Sequence, residues 1–191
     1  MTGPEISRWS REQLAAGCDD LLAVYADAMD TDPWSARARR PIVLAHLQRP
    51  GLRTVVAHEQ DRLVGVAYGY LGERGQWWHD QVHRALDPGI AGDWLDSTFE
   101  VCELHVRRAY QGLGLGRGLL DALLVDQPAR TAVLSTPDAE TRARGFYRAA
   151  GWVDLVRNLV FPGDPREFAV LGLQLGLQLG LQLDQQLDQP T

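Results

Sequence analysis

The chain has 191 residues and no lysine: all 19 of its basic residues are arginine. That absence excludes a phosphate loop of the Gly-Lys-Ser/Thr kind, a pyridoxal-phosphate Schiff base and a lysine nucleophile. Cysteine is almost as scarce. Cys18 and Cys102 stand alone, too few for a disulfide framework or a zinc finger. No apolar run approaches the ~20 residues of a membrane span. The opening MTGPEISRWSREQ has no apolar core, so no secretory signal is expected. Positive charge is in deficit: 19 basic against 25 acidic residues give a net charge of −6 and a pI near 5.3. A general nucleic-acid binder is usually basic, so that class is disfavoured. His79 and His83 are four apart, but Asp80 stands where a zinc-protease motif needs Glu, and no third ligand is evident. No metal is expected. What remains is a cytoplasmic globular domain, with neither nucleic acid nor membrane as a partner.

The patterning that is present alternates. Ser10 followed by Gln13 resembles a capping box opening an amphipathic helix over 10–30, and a second helix is expected over 34–48. Residues 53–58 and 62–71 read as two strands around the Glu59-Gln60-Asp61 turn. Residues 72–97 are too long for a hairpin loop and read as an insertion with a short helix near 78–86. A strand over 98–106 precedes a helix at about 114–126. A short strand over 131–135, a helix over 138–150 ended by Gly151, and closing strands at 152–161 and 166–171 complete the domain. This order predicts an α/β protein with a mixed sheet, parallel in part. The domain is expected over 1–171, followed over 172–191 by a low-complexity tail built on GLQL. The tail is either an expanded repeat without function or a contact for self-assembly.

After the strand over 98–106, glycine alternates at Gly112, Gly114, Gly116 and Gly118. A dinucleotide fingerprint needs glycines at i, i+2 and i+5, and every frame here fails. A glycine turn between a strand and a helix still lets backbone approach a ligand, and the first helical N–H groups form an anion site. Arg107, Arg108 and Arg117 lie in a stretch without an acid from Glu103 to Asp121, which suits a pyrophosphate. The bland alternative is a turn needed only for helix–sheet packing.

The strand Val101-Cys102-Glu103-Leu104-His105-Val106, then Arg107-Arg108-Ala109-Tyr110, then Gln111-Gly112-Leu113-Gly114-Leu115-Gly116, resembles the acetyl-CoA-binding motif of the GCN5-related N-acetyltransferase (GNAT) family. Gln111, Gly114 and Gly116 fit its Gln/Arg-x-x-Gly-x-Gly/Ala pattern. Phe146-Tyr147-Arg148-Ala149-Ala150-Gly151-Trp152 resembles the family's aromatic-Tyr-x-x-x-Gly-aromatic segment. Glu140 departs from the family, which often carries Asn there. The resemblance implies a GNAT-like acyl-CoA N-acyltransferase fold, a central mixed sheet flanked by helices. It also implies an enzyme that moves acetyl directly from acetyl-CoA to an amine, carried by a small molecule or a peptide. On the same resemblance, Leu104, His105 and Val106 hold the thioester arm, while Gln111, Gly112, Leu113, Gly114, Leu115, Gly116 and Arg117 receive the pyrophosphate.

Tyr147 is then the candidate acid for the leaving thiolate, or else a core aromatic. Glu100 and Glu103 are candidate bases. Their odd spacing puts them on opposite faces of a regular strand, so one at most faces the thioester; Glu103 is preferred because it sits next to Leu104. Each could instead be an ion-paired strand residue. His105 is a further candidate base, and Cys102 reads as a small core residue. Trp77, Trp78 and Glu73 of the insertion are candidates for one wall of the amine site, the rings for a cation and the carboxylate for its charge; the alternative is a flap packed over the sheet edge. A rival to the enzyme is a non-catalytic acyl-CoA-binding or regulatory module on the same fold. A homodimer is one assembly left open.

Overall fold

Runs of buried, mostly apolar residues make the inner strands of the sheet, and amphipathic stretches form the helices. In this computed structural model the described residues are 3–176. The strands are β1 (Glu5–Trp9), β2 (Arg53–Glu59), β3 (Arg62–Gly72), β4 (Thr98–Val106), β5 (Thr131–Pro137), β6 (Val153–Val160) and β7 (Glu167–Gln174). They form one mixed sheet in the order β1-β2-β3-β4-β5-β7-β6. The helices are α1 (Arg11–Ala16), α2 (Cys18–Met29), α3 (Pro33–Arg37), α4 (Arg40–His46), α5 (Trp77–Ala85), α6 (Pro88–Leu95), α7 (Leu115–Leu124) and α8 (Arg142–Ala149). None of them is long and apolar enough to cross a membrane.

The chain divides into two compact units, one made of the residues up to Leu71 with Val101–Val125, the other of Gly72–Glu100 with the residues from Asp126 on. In the first, β1, β2 and β3 pair antiparallel. Leu14, Leu21, Leu22, Val24 and Val43 of the helices bury against Val56, Leu63, Val66 and Tyr68 of the strands. The predicted capping box is present: the Ser10 hydroxyl accepts from the Gln13 amide at 3.2 Å, and the Gln13 side chain accepts from the Ser10 amide at 2.7 Å. The helix it opens is short. Gly17 ends α1 and starts α2, so the single helix expected over 10–30 is two. The helix expected over 34–48 is also two, α3 and α4, separated at Ala38 and Arg39. The edge strand β1 was not expected; its Glu5, Ser7 and Arg8 are exposed and hide the alternation that marks a half-buried strand.

In the second unit, the start of β4 pairs parallel with β5 over three positions, Thr98–Glu100 against Thr131–Val133. β7 then lies antiparallel between β5 and β6. The insertion is not one helix but two. α5 and α6 lay Val82, Leu86, Ala91 and Leu95 on Val133, Phe161 and Val170. β7 runs on past 171, where the domain was expected to close, and takes in Gly172, Leu173 and Gln174 of the first repeat. The rest of the tail, from Leu177, lies outside the described residues.

Gly172 shows how tightly this layer is packed. A β-carbon there would stand 2.6 Å from the Trp94 ring and 2.7 Å from a Leu155 methyl. Gly172→Ala should therefore destabilise the protein by about 1–3 kcal/mol, the usual range for overpacking a core. A melting temperature equal to wild type would show that α6 shifts freely on the sheet.

Candidate active site

Glu103 and His105 are two apart on β4, so their side chains share a face. His105 Nε2 lies 2.5 Å from Glu103 Oε2. The other carboxylate oxygen, Oε1, accepts from Nη2 of Arg39, which is delivered by the break between α3 and α4. The Arg39 guanidinium stands 4.7 Å from the centre of the Tyr25 ring. That ring meets His105 edge-on at 5.0 Å. The four side chains thus close a circuit contributed by α2, the α3–α4 junction and β4.

The electrostatics of the circuit follow from its burial. Only 9% of the Glu103 side chain is exposed. Burial pushes its carboxyl up. The hydrogen bond and charge of His105, with Arg39 beside them, outweigh burial and hold it below its ordinary range. Glu103 is therefore an anion at neutral pH, and an ionised carboxylate only accepts hydrogen bonds. His105 must present Nε2–H to it. In the neutral imidazole the lone pair then sits on Nδ1, the arrangement by which a carboxylate orients a histidine base.

Beside the circuit, His46 Nδ1 lies 3.1 Å from the hydroxyl of the buried Tyr68. Burial, and next the charge of Glu103, push the Tyr68 phenol well up. Burial, and next the charge of Arg49, hold His46 down. Both are neutral near pH 7, so neither adds a formal charge beside Arg39 and Glu103.

β4 leads straight to the glycine turn. The Gln111 amide folds back and donates to the Val106 carbonyl at 2.9 Å. Val106 is buried, while Leu104 and His105 are half-buried. Gly112 and Gly114 both have positive φ, 81° and 83°. Gly114 caps α7 without any side-chain bond, and open space surrounds the position its β-carbon would take. The amides of Leu115 and Gly116, the first two residues of α7, have no intrahelical acceptor. Leu113 is 75% exposed, so the turn is open to a ligand. These features fit an anion such as a pyrophosphate. The arginines contribute less than their clustering suggested. Arg107 is spent on the Leu63 carbonyl at 2.8 Å, and Arg108 on Asp30 at 2.6 Å. Arg117 alone sits on the first turn of α7, leaning on Asp121 at 2.8 Å.

The remaining candidates lie in the other unit. Tyr147, on α8, is 8% exposed and set edge-on between Phe146 and Trp152. Glu140 is 77% exposed and pairs with Arg148 at 3.3 Å. Glu100 is buried; a β-carbon on Gly72 would stand 2.8 Å from its Oε1. Trp78 packs with the α5–α6 core and donates to Ser135 Oγ at 3.1 Å. Trp77 is 53% exposed with its ring tilted against Phe161, while Glu73 is exposed. Trp78 therefore has a structural task on β5, and Trp77 and Glu73 stand at the surface. His79 is buried with Nε2 3.3 Å from the Leu95 carbonyl. Among the described residues no group of three His, Cys, Asp or Glu could hold a metal.

The model of the acetyltransferase (GNAT) family matches residues 19–152. The chain belongs to the GNAT family. A GCN5-like protein acetyltransferase of Mycobacterium tuberculosis is 36% identical over 186 residues, spanning 82% of this chain and 90% of that protein. Among solved structures, the Escherichia coli ribosomal-protein-S18-alanine N-acetyltransferase superposes with a TM-score of 0.59 at 19% identity, covering 91% of this chain and 94% of that one. The PaiA N-acetyltransferase of Thermoplasma acidophilum, solved with coenzyme A, gives 0.60 at 11% identity over 91% and 99%. At these identities the two structures speak for the fold, which is the GNAT fold expected from the strand, glycine turn and Tyr segment.

Glu103→Gln tests the charge at the centre of the site. Because the folded carboxyl titrates below its unfolded value, the stability it contributes is present above the ordinary carboxylate range and is lost as the pH falls through the folded value. The wild type should melt above Glu103→Gln at pH 7, and the gap should close in acid. A gap that is constant down to pH 2, or that widens in acid, would contradict an ion-paired Glu103.

Proposed function

We propose that this GNAT enzyme transfers acetyl from acetyl-CoA directly to a primary amine, with His105 as the base, Glu103 as its orienting group and Tyr147 as the acid. The observation that carries this reading is the Glu103–His105 pair on the strand that enters the glycine turn. Acetyl-CoA supplies the acetyl group as a thioester. The open turn from Gly112 to Gly116, with Arg117, receives its pyrophosphate, and backbone groups of Leu104 to Val106 line up the arm. The acceptor must lose a proton to become a nucleophile. His105 takes it at Nδ1, while Glu103 stabilises the imidazolium that forms. The N–C bond forms, the C–S bond breaks, and the thiolate takes the Tyr147 proton. Glu100, turned against Gly72, has no part in proton transfer in this scheme.

Enzyme and acceptor are read as cytoplasmic. The acceptor is an amine on a small molecule or a polypeptide. The name of the M. tuberculosis relative, a protein acetyltransferase, supports including polypeptides.

The test is release of free CoA thiol from acetyl-CoA against a panel of amines and lysine peptides. His105→Ala should lower kcat by about 10²-fold or more, and Tyr147→Phe by a similar factor, the range of general acid–base catalysis. Neither should shift the affinity for acetyl-CoA measured by calorimetry. Binding of acetyl-CoA without turnover of any acceptor would turn the reading to an acyl-CoA-binding module. Wild-type kcat in His105→Ala would remove the base role.

A further inference from the structure

Between Asp32 and Glu59 the chain carries Arg37, Arg39, Arg40, Arg49 and Arg53 and no acidic residue, within a protein of net charge −6. The stretch forms α3, α4 and the entry to β2. Two of these arginines have internal work: Arg39 on Glu103, and Arg53 on the Leu123 carbonyl at the end of α7. The others do not. Arg37 is exposed and has no carboxylate partner among the described residues. Arg40 touches the exposed Asp19 only through Nε at 3.3 Å. Arg49 lies 5.7 Å from the Tyr70 ring, its Nε buried without a hydrogen bond.

Apolar surface accompanies this charge. Trp34, on α3, is 82% exposed, and Ile42, on α4, is 49% exposed. A bare tryptophan on the same short helix as the unpaired Arg37, with Arg40 only loosely held by Asp19, has the composition of a protein-binding hot spot. Arg39, between Arg37 and Arg40 in the chain, touches Glu103, so the stretch that carries this charge also reaches the proposed base pair.

We propose that the α3–α4 face docks an acidic polypeptide whose lysine or N-terminal amine is the acceptor. This rests on the acetyltransferase reading above and narrows its acceptor. Carboxylates flanking the acceptor residue pair with Arg37 and Arg40 while an apolar side chain covers Trp34. The pairing is on the surface, so it acts chiefly by steering and register and is screened by salt. A nucleic acid would meet the same arginines, but it carries no aliphatic amine to receive the acetyl group.

The experiment compares two peptides of equal length with one central lysine and blocked termini, one flanked by Glu and Asp, the other by Ser and Gln. Thiol release gives kcat/KM, and fluorescence anisotropy gives binding without turnover. At low salt the acidic peptide should be favoured about tenfold, in line with electrostatic steering, and the preference should vanish at about 0.5 M salt. In Arg37→Glu the preference should collapse, and Trp34→Ala should weaken binding of the acidic peptide. Equal use of both peptides overturns the proposal, as does a preference that survives both substitutions. So does a single-stranded oligonucleotide of equal charge that binds more tightly than the acidic peptide. Turnover of small amines but of neither peptide refutes the docking face and leaves the acetyltransferase standing. Selective binding of the acidic peptide with no thiol released from any acceptor refutes the transferase reading and leaves the face standing.

Discussion

A carboxylate buried on the central strand is the constraint around which the first unit is arranged. Removing a charge from water costs several kcal/mol, and a lone partner rarely offsets it. Glu103 has two, Arg39 and His105, and each must be brought to it by other structure. Arg39 comes from a junction 64 residues earlier in the chain, so α3 and α4 have to separate where they do. Tyr25 has to face both Arg39 and His105, which fixes the rotation of α2. The polar circuit therefore specifies how the helices meet the sheet, while Leu14, Leu21 and Leu22 supply the apolar burial that holds them there.

The same strand carries that order into the glycine turn. Between Glu103 and Gly112 little of the backbone is left without an anchor. The Arg107 amide donates to the Val64 carbonyl at 2.9 Å, the Gln111 side chain closes on Val106, and the Tyr110 hydroxyl donates to Glu59 at 2.5 Å. An anion site that works by backbone amides depends on such anchoring, since an amide cannot re-aim itself as a long side chain can. His105 and the open helix terminus are thus two ends of one hydrogen-bonded segment.

These arrangements were legible to different degrees. β4, the glycine turn and the helix of Tyr147 could be read because strand, turn and helix follow one another in sequence and each has local chemistry. Ser10 and Gln13 marked a helix start for the same reason. Gly17 was legible only as a glycine within an apolar pattern; that the position has no room for a side chain depends on the Trp9 ring, which would meet a β-carbon there at 2.5 Å. Arg39 could not be found from periodicity, because its partner is distant in sequence, although the acid-free run from Pro33 to His58 was a usable signal. The contact of Glu103 with His105 was legible too, in the even spacing that places two side chains on one face of a strand.

Tyr147 depends on a comparable device in the second unit. Its helix α8 starts on Thr141, but the deeper anchor is Arg144, whose side chain is fully buried. One terminal nitrogen reaches Asp138 at 2.8 Å and the other reaches Asp154 at 2.7 Å, so a single guanidinium ties the end of β5 to the start of β6 through α8. A planar fork can bridge two carboxylates on different elements in fixed directions; an ammonium is a point charge and fixes neither. The absence of lysine from the whole chain is thus mechanically consequential here. Arg39 joins a carboxylate to an aromatic face and Arg144 joins two carboxylates, and each of these junctions needs a flat cation with separated donors. Replacing either by lysine would keep the charge and lose the geometry, and with it the placement of His105 or of Tyr147.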